Sequence, residues 1–481
     1  MTERNDDTTP KENIPLKIKF SYGIGSMATA IFTGLVFANI SFFYVEKLGA
    51  NPILIGWAWL IFGIWNTVND PIASYLIDNT RTSIGRRVPY IRYGSGFFGL
   101  AFIFCWFPIW TSPIGLILNF LLVLFLLDTM FTFIGCCFFA LPAEIALTAQ
   151  GRAELSIFTV LFGFVAVALG FIVPIFFLTG QVGIHPAFFP TMVIIGIVGS
   201  ILLFISSYGV KENMFAQLQP HEPFLEGLKL TFKNKAFWIY MLPAFCMALL
   251  LPVLQIGILY YIDYIIIGKE PLFLLIALLL GVVTGFAMNL MYTEKLGPKK
   301  IMIINLTIVS IGLAILFFLG HNLVLSAIPG ALIGIGLSGT MISGAVVMGD
   351  IIDNDELITG KRREGIYGGV NAIVVKYPIS IANWMFLVII VGFGFVTPKL
   401  VNGEAVKQPQ TDMALMGIML AFCLIPAILL AFSAIFMRWY PLDGPEWKEK
   451  KKSLIELHKQ KEREYVKRLA EDGKLKRKKN K

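Results

Sequence analysis

Along most of this chain apolar residues do not alternate with polar ones. They run on for twenty residues or more between short polar interruptions. Twelve such spans are counted, at about 18–45, 52–78, 88–112, 114–147, 155–180, 187–210, 236–266, 270–293, 299–319, 322–349, 365–397 and 410–437. About 20 apolar residues carry a helix across roughly 30 Å of hydrocarbon. In lipid a spanning segment must satisfy its own backbone hydrogen bonds, which favours the helix. The pattern therefore predicts an all-α polytopic membrane protein with twelve transmembrane helices.

The interruptions alternate in charge. One set reads "RTSIGRR" (81–87), "GRAE" (151–154), "KNK" (233–235), "KLGPKK" (295–300) and "GKRRE" (360–364). The other set, "WTSPIG", "TGQVGIHPAFF" and "GHN", carries neither Lys nor Arg. Basic loops stay inside, so both termini are expected in the cytoplasm. The longest internal linker, 211–235, separates a bundle at 18–210 from one at 236–437, with a short segment at 1–17 and a basic tail at 438–481. The two halves share a design. Asp78 precedes "GRR" as Glu294 precedes "GPKK", and Glu144 stands seven residues before Gly151 as Asp353 stands before Gly360. Twelve spans, a central linker and an internal repeat resemble the major facilitator transporters, whose substrate site lies between two six-helix bundles near mid-membrane.

Composition narrows the class further. The 481 residues are 56% hydrophobic and only 15% charged, against about 25% charged in soluble domains. A soluble enzyme is thereby excluded. The net charge of +9 is not a nucleic-acid signal, because Glu446–Lys481 alone holds 15 Lys/Arg against 7 Asp/Glu. That tail reads as a solvated positive-inside segment, with docking on anionic lipid as the alternative. Cys105, Cys136, Cys137, Cys246 and Cys423 all fall inside apolar runs and read as small core residues. The polar N-terminus lacks a signal-peptide pattern, so the first helix is expected to serve as the insertion signal.

Few ionisable groups lie deep in the spans, and each needs a cavity or a partner. In "GIWNTVNDPIAS" (63–74), Asn66, Asn69 and Asp70 fall at i, i+3 and i+4 and share one helix face. Asp70 sits roughly 12 Å from the cytoplasmic end of its helix. It could carry a proton, or with two amide oxygens coordinate Na⁺. Pro71 removes a backbone N–H beside it and tends to kink the helix. The second deep charge, Lys376, lies roughly 15 Å into helix 11, and Asp70 is read as its counter-charge. A cytoplasmic gate is placed at Asp78, Arg81, Arg86, Arg87 and Arg152 on one side and Asp350, Asp353 and Arg363 on the other, with a plain helix end as the alternative. Asp263 reads as an outer gate or an interfacial residue.

"SYGIGSM" (21–27), "WNTVNDP" (65–71), "DNTRTSIGRRVPYI" (78–91), "GDIIDNDELITGKRREG" (349–365) and "NAIVVK" (371–376) resemble the glycoside–pentoside–hexuronide:cation symporters. The resemblance implies cation-driven symport. It matches the family's helix-2 motif Asp-x-x-Asn-Asp-Pro to Asn66–Pro71, its helix-4 threonine to Thr132 and its helix-11 lysine to Lys376. One acid of the cation site is thus replaced, at Asn66. That replacement points to H⁺ coupling before Na⁺, with no cofactor. The family's sugar-binding aspartates fall at Ala30 and Gly135, its arginine at Thr159 and its tryptophan at Phe139. Met341, Asn371 and Ala372 complete the expected substrate cavity.

The leading expectation is therefore a symporter of a small organic solute of glycoside type, monomeric in the cell membrane. The apolar cavity replacements suggest a lysolipid or similar amphiphile as the alternative. A membrane-embedded prenyltransferase is remote: it needs two Asp-rich clusters at one cavity mouth, whereas Asp70 and Asp78 are separated by two turns and a proline.

Overall fold

The computed structural model of the chain describes residues 14–146, 149–180, 183–210, 231, 233–266, 272–360, 363–401, 404–454 and 456. Most of the central linker and of the basic tail lie outside these residues. Of the gate and repeat residues, the Lys361 position and the side chains of Glu144, Arg152 and Glu294 are also outside them.

The apolar runs fold as helices: α1 (Leu16–Phe42), α2 (Pro52–Asn79), α3 (Val88–Phe104), α4 (Pro113–Ile145), α5 (Ala149–Leu178), α6 (Phe188–Gly209), α7 (Lys235–Tyr260), α8 (Leu272–Leu296), α9 (Pro298–Leu319) and α10 (Leu323–Thr359). Then come α11 (Glu364–Lys376), α12 (Pro378–Gly392), α13 (Asp412–Met419) and α14 (Ile425–Phe436). Polar loop residues set several starts. Asn51 caps α2 by accepting from the Ile53 and Leu54 N–H groups, and Asn322 caps α10 the same way from Val324 and Leu325.

Eleven helical stretches among the described residues are long and apolar enough to cross a membrane. The remaining expected span, 88–112, forms a helix of 17 residues. At about 1.5 Å per residue it falls a little short of the hydrocarbon thickness. Span 365–397 is one candidate crossing at Ile366–Gly392, kinked at Tyr377. Pro378 supplies no N–H there, so the backbone ladder lapses between α11, which ends on Lys376, and α12, which starts on Pro378, while Tyr377 keeps right-handed helical angles.

Two helices end in π-turns, Phe43–Lys47 after α1 and Tyr261–Ile265 after α7. A third, Leu420–Leu424, joins α13 to α14. The loop after α12 carries a feature absent from the sequence reading, an antiparallel hairpin of β1 (Lys399–Val401) and β2 (Glu404–Val406), with Leu400 opposite Ala405.

The chain divides into two compact units. The first draws on 1–221, 248–271 and 375–425, the second on 222–247, 272–374 and 426–481. In the first unit, glycines bring α2 and α12 together. A Cβ on Gly63 would stand 2.6 Å from the Tyr377 ring, and one on Gly56 would stand 3.3 Å from Trp384. In the second unit α10 packs against α8 and α9 through glycines. At Gly339 a Cβ would collide with Asn305, which itself donates to Asn289 at 2.7 Å.

Candidate functional site

At the proline kink between α11 and α12 Tyr377 keeps right-handed helical angles, and Lys376 sits just before it inside one spanning segment. Its Nζ lies 2.5 Å from both carboxylate oxygens of Asp70 on α2. The two side chains keep about a quarter of their surface exposed, 25% and 27%. The pair is only part-buried, unlike a sealed structural ion pair.

Around Asp70 the two asparagines have different tasks. Buried Asn69 donates from Nδ2 to Thr132 Oγ1 at 3.1 Å and to Asp128 Oδ2 at 3.1 Å, both on α4. Asn66 is buried as well, and its Oδ1 has no hydrogen-bond partner among the described residues. The structure thus brings together Asp70, Asn69, Thr132 and Lys376, four of the residues singled out from sequence, with Asn66 on the same face of α2.

Asp128 was missed. It is 0% exposed, lies within electrostatic range of Lys376 and Asp70, and keeps one oxygen, Oδ1, without a hydrogen bond. The reading that Lys376 and Asp70 are the deep charges on this side is corrected accordingly. The signal was visible as a lone carboxylate in the run "LFLLDTMFTF", one helical turn before Thr132. It carries no motif, and only the packing of α4 against α2 gives it meaning.

The expected substrate-cavity residues divide between the units. In the first, Gly135 and Phe139 continue the α4 face of Asp128 and Thr132, and Phe139 is 88% exposed. Thr159 spends its hydroxyl on the Leu155 carbonyl at 3.3 Å, and Ala30 is half-buried. In the second unit Met341 is 76% exposed, Ala372 is half-buried, and Asn371 Oδ1 lacks a hydrogen-bond partner among the described residues.

The gate residues likewise fall into separate clusters. Arg86 pairs with Asp78 at 3.4 Å, and Arg81 donates to the Asp78 and Thr80 carbonyls. Arg87 is buried. Arg363 engages Asp355 through Nε at 2.9 Å and Nη2 at 2.5 Å, a partner the sequence reading did not assign. Asp353 is half-buried on α10. Asp350 pairs with Lys451 of the tail. The tail reading is therefore corrected for its first part. Residues 444–454 form a helix whose Trp447 and Leu454 are buried, because apolar side chains every seven residues give that helix a face to pack.

Asp263, read as gate or interface, is a buried anchor. Its Oδ1 accepts from the Gly180 N–H at 2.7 Å, and Lys407, just after β2, pairs with it at 2.6 Å. Next to it Tyr264 donates to Glu46 at 2.5 Å. Cys105, Cys137, Cys246 and Cys423 are buried and Cys136 is half-buried.

The family model described as "MFS/sugar transport protein" matches residues 21–444. The chain belongs to that family, in its glycoside–pentoside–hexuronide:cation symporter branch. Among relatives of this symporter, the "Isoprimeverose transporter" of Lactiplantibacillus pentosus is 22% identical over 456 residues, 91% of each chain. The "Putative glycoside/cation symporter YagG" of Escherichia coli K12 is 24% identical, covering 89% of this chain and 92% of that one. Among solved structures, a D-xylose-proton symporter superposes with a TM-score of 0.62 at 14% identity, over 89% of this symporter and 98% of that chain. The nucleoside transporter NupG superposes with a TM-score of 0.58, also at 14% identity, over 88% of this symporter and 100% of that chain. At that identity the structures establish the major facilitator fold alone. Family and relatives are transporters, so this integral multi-pass membrane protein is a transporter and not an enzyme.

Proposed function

We propose that this protein is a secondary active symporter that moves a sugar- or glycoside-type solute with a monovalent cation, H⁺ or Na⁺, by alternating access. The observation that carries the reading is the Asp70–Lys376 pair beside the kink between α11 and α12. Ionisable residues inside spanning segments are rare and mark ion pathways. In this cycle the Lys376 ammonium stands in for the cation. A cation arriving at Asp70, with Asn66, Asn69 and Thr132 beside it, releases Lys376 and frees the bundles at 18–210 and 236–437 to move. The residues Asp78, Arg81, Arg86, Arg87, Arg152, Asp350, Asp353 and Arg363 act as the cytoplasmic gate of that movement. Both termini are cytoplasmic, and the protein works as a monomer in the cell membrane without nucleic-acid partners, its distal tail near anionic lipid.

The substrate class is supported by two relatives, a putative glycoside/cation symporter and an isoprimeverose transporter. The exposed Phe139 of the first unit and Met341 of the second favour a second reading, an amphiphile such as a lysolipid, with Ala30, Gly135, Thr159, Asn371 and Ala372 as its expected contacts. The test is uptake by proteoliposomes under imposed H⁺ or Na⁺ gradients with a panel of pentosides, hexosides and lysolipids. Concentrative uptake of a glycoside, abolished by Asp70→Asn, is the expected result. Uptake of lysolipid alone selects the second reading. Full concentrative uptake by Asp70→Asn overturns the coupling site.

A further inference from the structure

Four observations converge beside the Asp70–Lys376 pair. Asp128 is completely buried. One of its oxygens is held by Asn69, and the other has no hydrogen-bond partner among the described residues. Asn66 Oδ1, on the α2 face that carries Asn69 and Asp70, is likewise buried without a partner among them. The Thr132 hydroxyl, one turn along α4 from Asp128, is drawn to the same asparagine. A buried oxygen without a donor costs on the order of 1–3 kcal/mol, more when charged, so two beside one carboxylate need an explanation.

Charge supplies one. Asp70 and Asp128 bring two negative charges against the one positive charge of Lys376, so this cluster stays negative whether Lys376 or a cation stands at Asp70. Isolated buried charge is disfavoured strongly enough that such sites acquire a counter-charge or neutralise. A monovalent cation drawn to the two acids offsets that charge. The available atoms are hard oxygens from carboxylate, amide and hydroxyl groups, the ligands that small hard cations select.

We infer that Asp128 is the second acid of the cation site: the carboxylate lost from α2 at Asn66 is supplied from α4, and the oxygens of Asp70, Asp128, Asn66 and Thr132 form a sodium-selective pocket. This rests on the Asp70 reading above and reverses its preference for H⁺, which depended on a missing acid. Asn66 then contributes a neutral oxygen where its charge is no longer needed. Asn69 serves as the positioning residue, holding Asp128 and Thr132 toward α2 with one amide group.

The experiment uses the purified full chain in detergent and reads ²²Na⁺ equilibrium binding together with the Na⁺-dependent shift in thermal unfolding, each at fixed pH. Asp128→Asn keeps an oxygen able to accept from Asn69 and is expected to lower Na⁺ affinity about a hundredfold or more, the scale of losing a near charge at an interior dielectric of about 20. The swap variant Asn66→Asp with Asp128→Asn returns the acid to α2 and is expected to restore binding to within about tenfold of wild type. The Asp70→Asn variant is expected to lose it outright.

If Asp128→Asn binds Na⁺ as wild type does while Asp70→Asn does not, the Asp128 assignment is overturned and the Asp70 site stands. If Asp70→Asn also binds normally, both are overturned. A wild-type protein with no Na⁺ response overturns the sodium pocket and leaves proton coupling at Asp70 intact. If Asp128→Asn fails to fold, the swap variant decides: wild-type-like binding supports the relocated acid, and a folded swap that binds no Na⁺ overturns it.

Discussion

Two charged clusters in the first unit are built from the same residue types and behave differently. At the helix kink, Asp70 and Lys376 keep about a quarter of their surface exposed and share the α2 face with Asn66, whose buried Oδ1 has no hydrogen-bond partner among the described residues. At the π-turns, the Asp263 carboxylate has 0% side-chain exposure, is bonded to a loop N–H, and is faced by Lys407 from the hairpin. The Lys407 ammonium also lies 5.5 Å from the Tyr264 ring, whose hydroxyl is bonded to Glu46. An ion pair reached by water can exchange its cation for one from solution. A pair whose carboxylate is sealed and whose lysine lies over an aromatic ring resists exchange, since separating it leaves a bare buried carboxylate. The first cluster is open enough to exchange its cation, and the second ties the loop after α5 and the hairpin to the π-turn after α7.

The largest effect that tests this contrast is on transport. Asp70→Asn is expected to reduce gradient-driven uptake by about a hundredfold or more, through the loss of one near charge at the site, without lowering the unfolding temperature in detergent. Asp263→Asn is expected to show the opposite profile. Equal transport defects in the two variants break the distinction.

Next in size is Lys407→Ala. Removing one partner of a buried pair costs about 3–5 kcal/mol; because Lys407 is 26% exposed, about 2 kcal/mol is expected after solvent screening. Thermal unfolding checks the loss, and Na⁺ binding is expected to stay within about twofold, since the site lies elsewhere. A smaller loss, about 1–3 kcal/mol, is expected for Gly63→Ala, whose new methyl group must displace the Tyr377 ring. Because that ring adjoins Lys376, uptake should fall with stability. Unchanged uptake separates the helix contact from the ion pair. The smallest effect is at the tail. Lys450→Ala removes an exposed i,i+4 pair with Glu446, and no measurable change in unfolding temperature or uptake is expected. Lys451→Ala, which deprives buried Asp350 of its partner, should lower the unfolding temperature clearly.

The local features were legible in the chain. Unbroken apolar runs dictate spanning helices because lipid leaves the backbone no other partner, and the 3.6-residue period places Asn66, Asn69 and Asp70 on one face. The rarity of buried charge was enough to name Asp70 as the partner of Lys376, though 306 residues separate them. The kink between α11 and α12 has its signal too, Pro378, whose missing N–H interrupts the ladder inside an apolar run.

What lay beyond the sequence is whatever depends on how helices far apart in the chain are rotated and spaced. Asp128 is one acid in an apolar run until α4 presents it to Asn69. Lys407 is a loop lysine until the hairpin sets it over Asp263. Lys451 belongs to a solvated tail until a helix packs Trp447 and Leu454 against the bundle and carries it to Asp350. Hydropathy and periodicity act within a few turns and fix which residues must be inside. Which buried groups meet is decided by close packing between helices, where a glycine or a bend of a few degrees selects the partner, and only the tertiary structure records that choice.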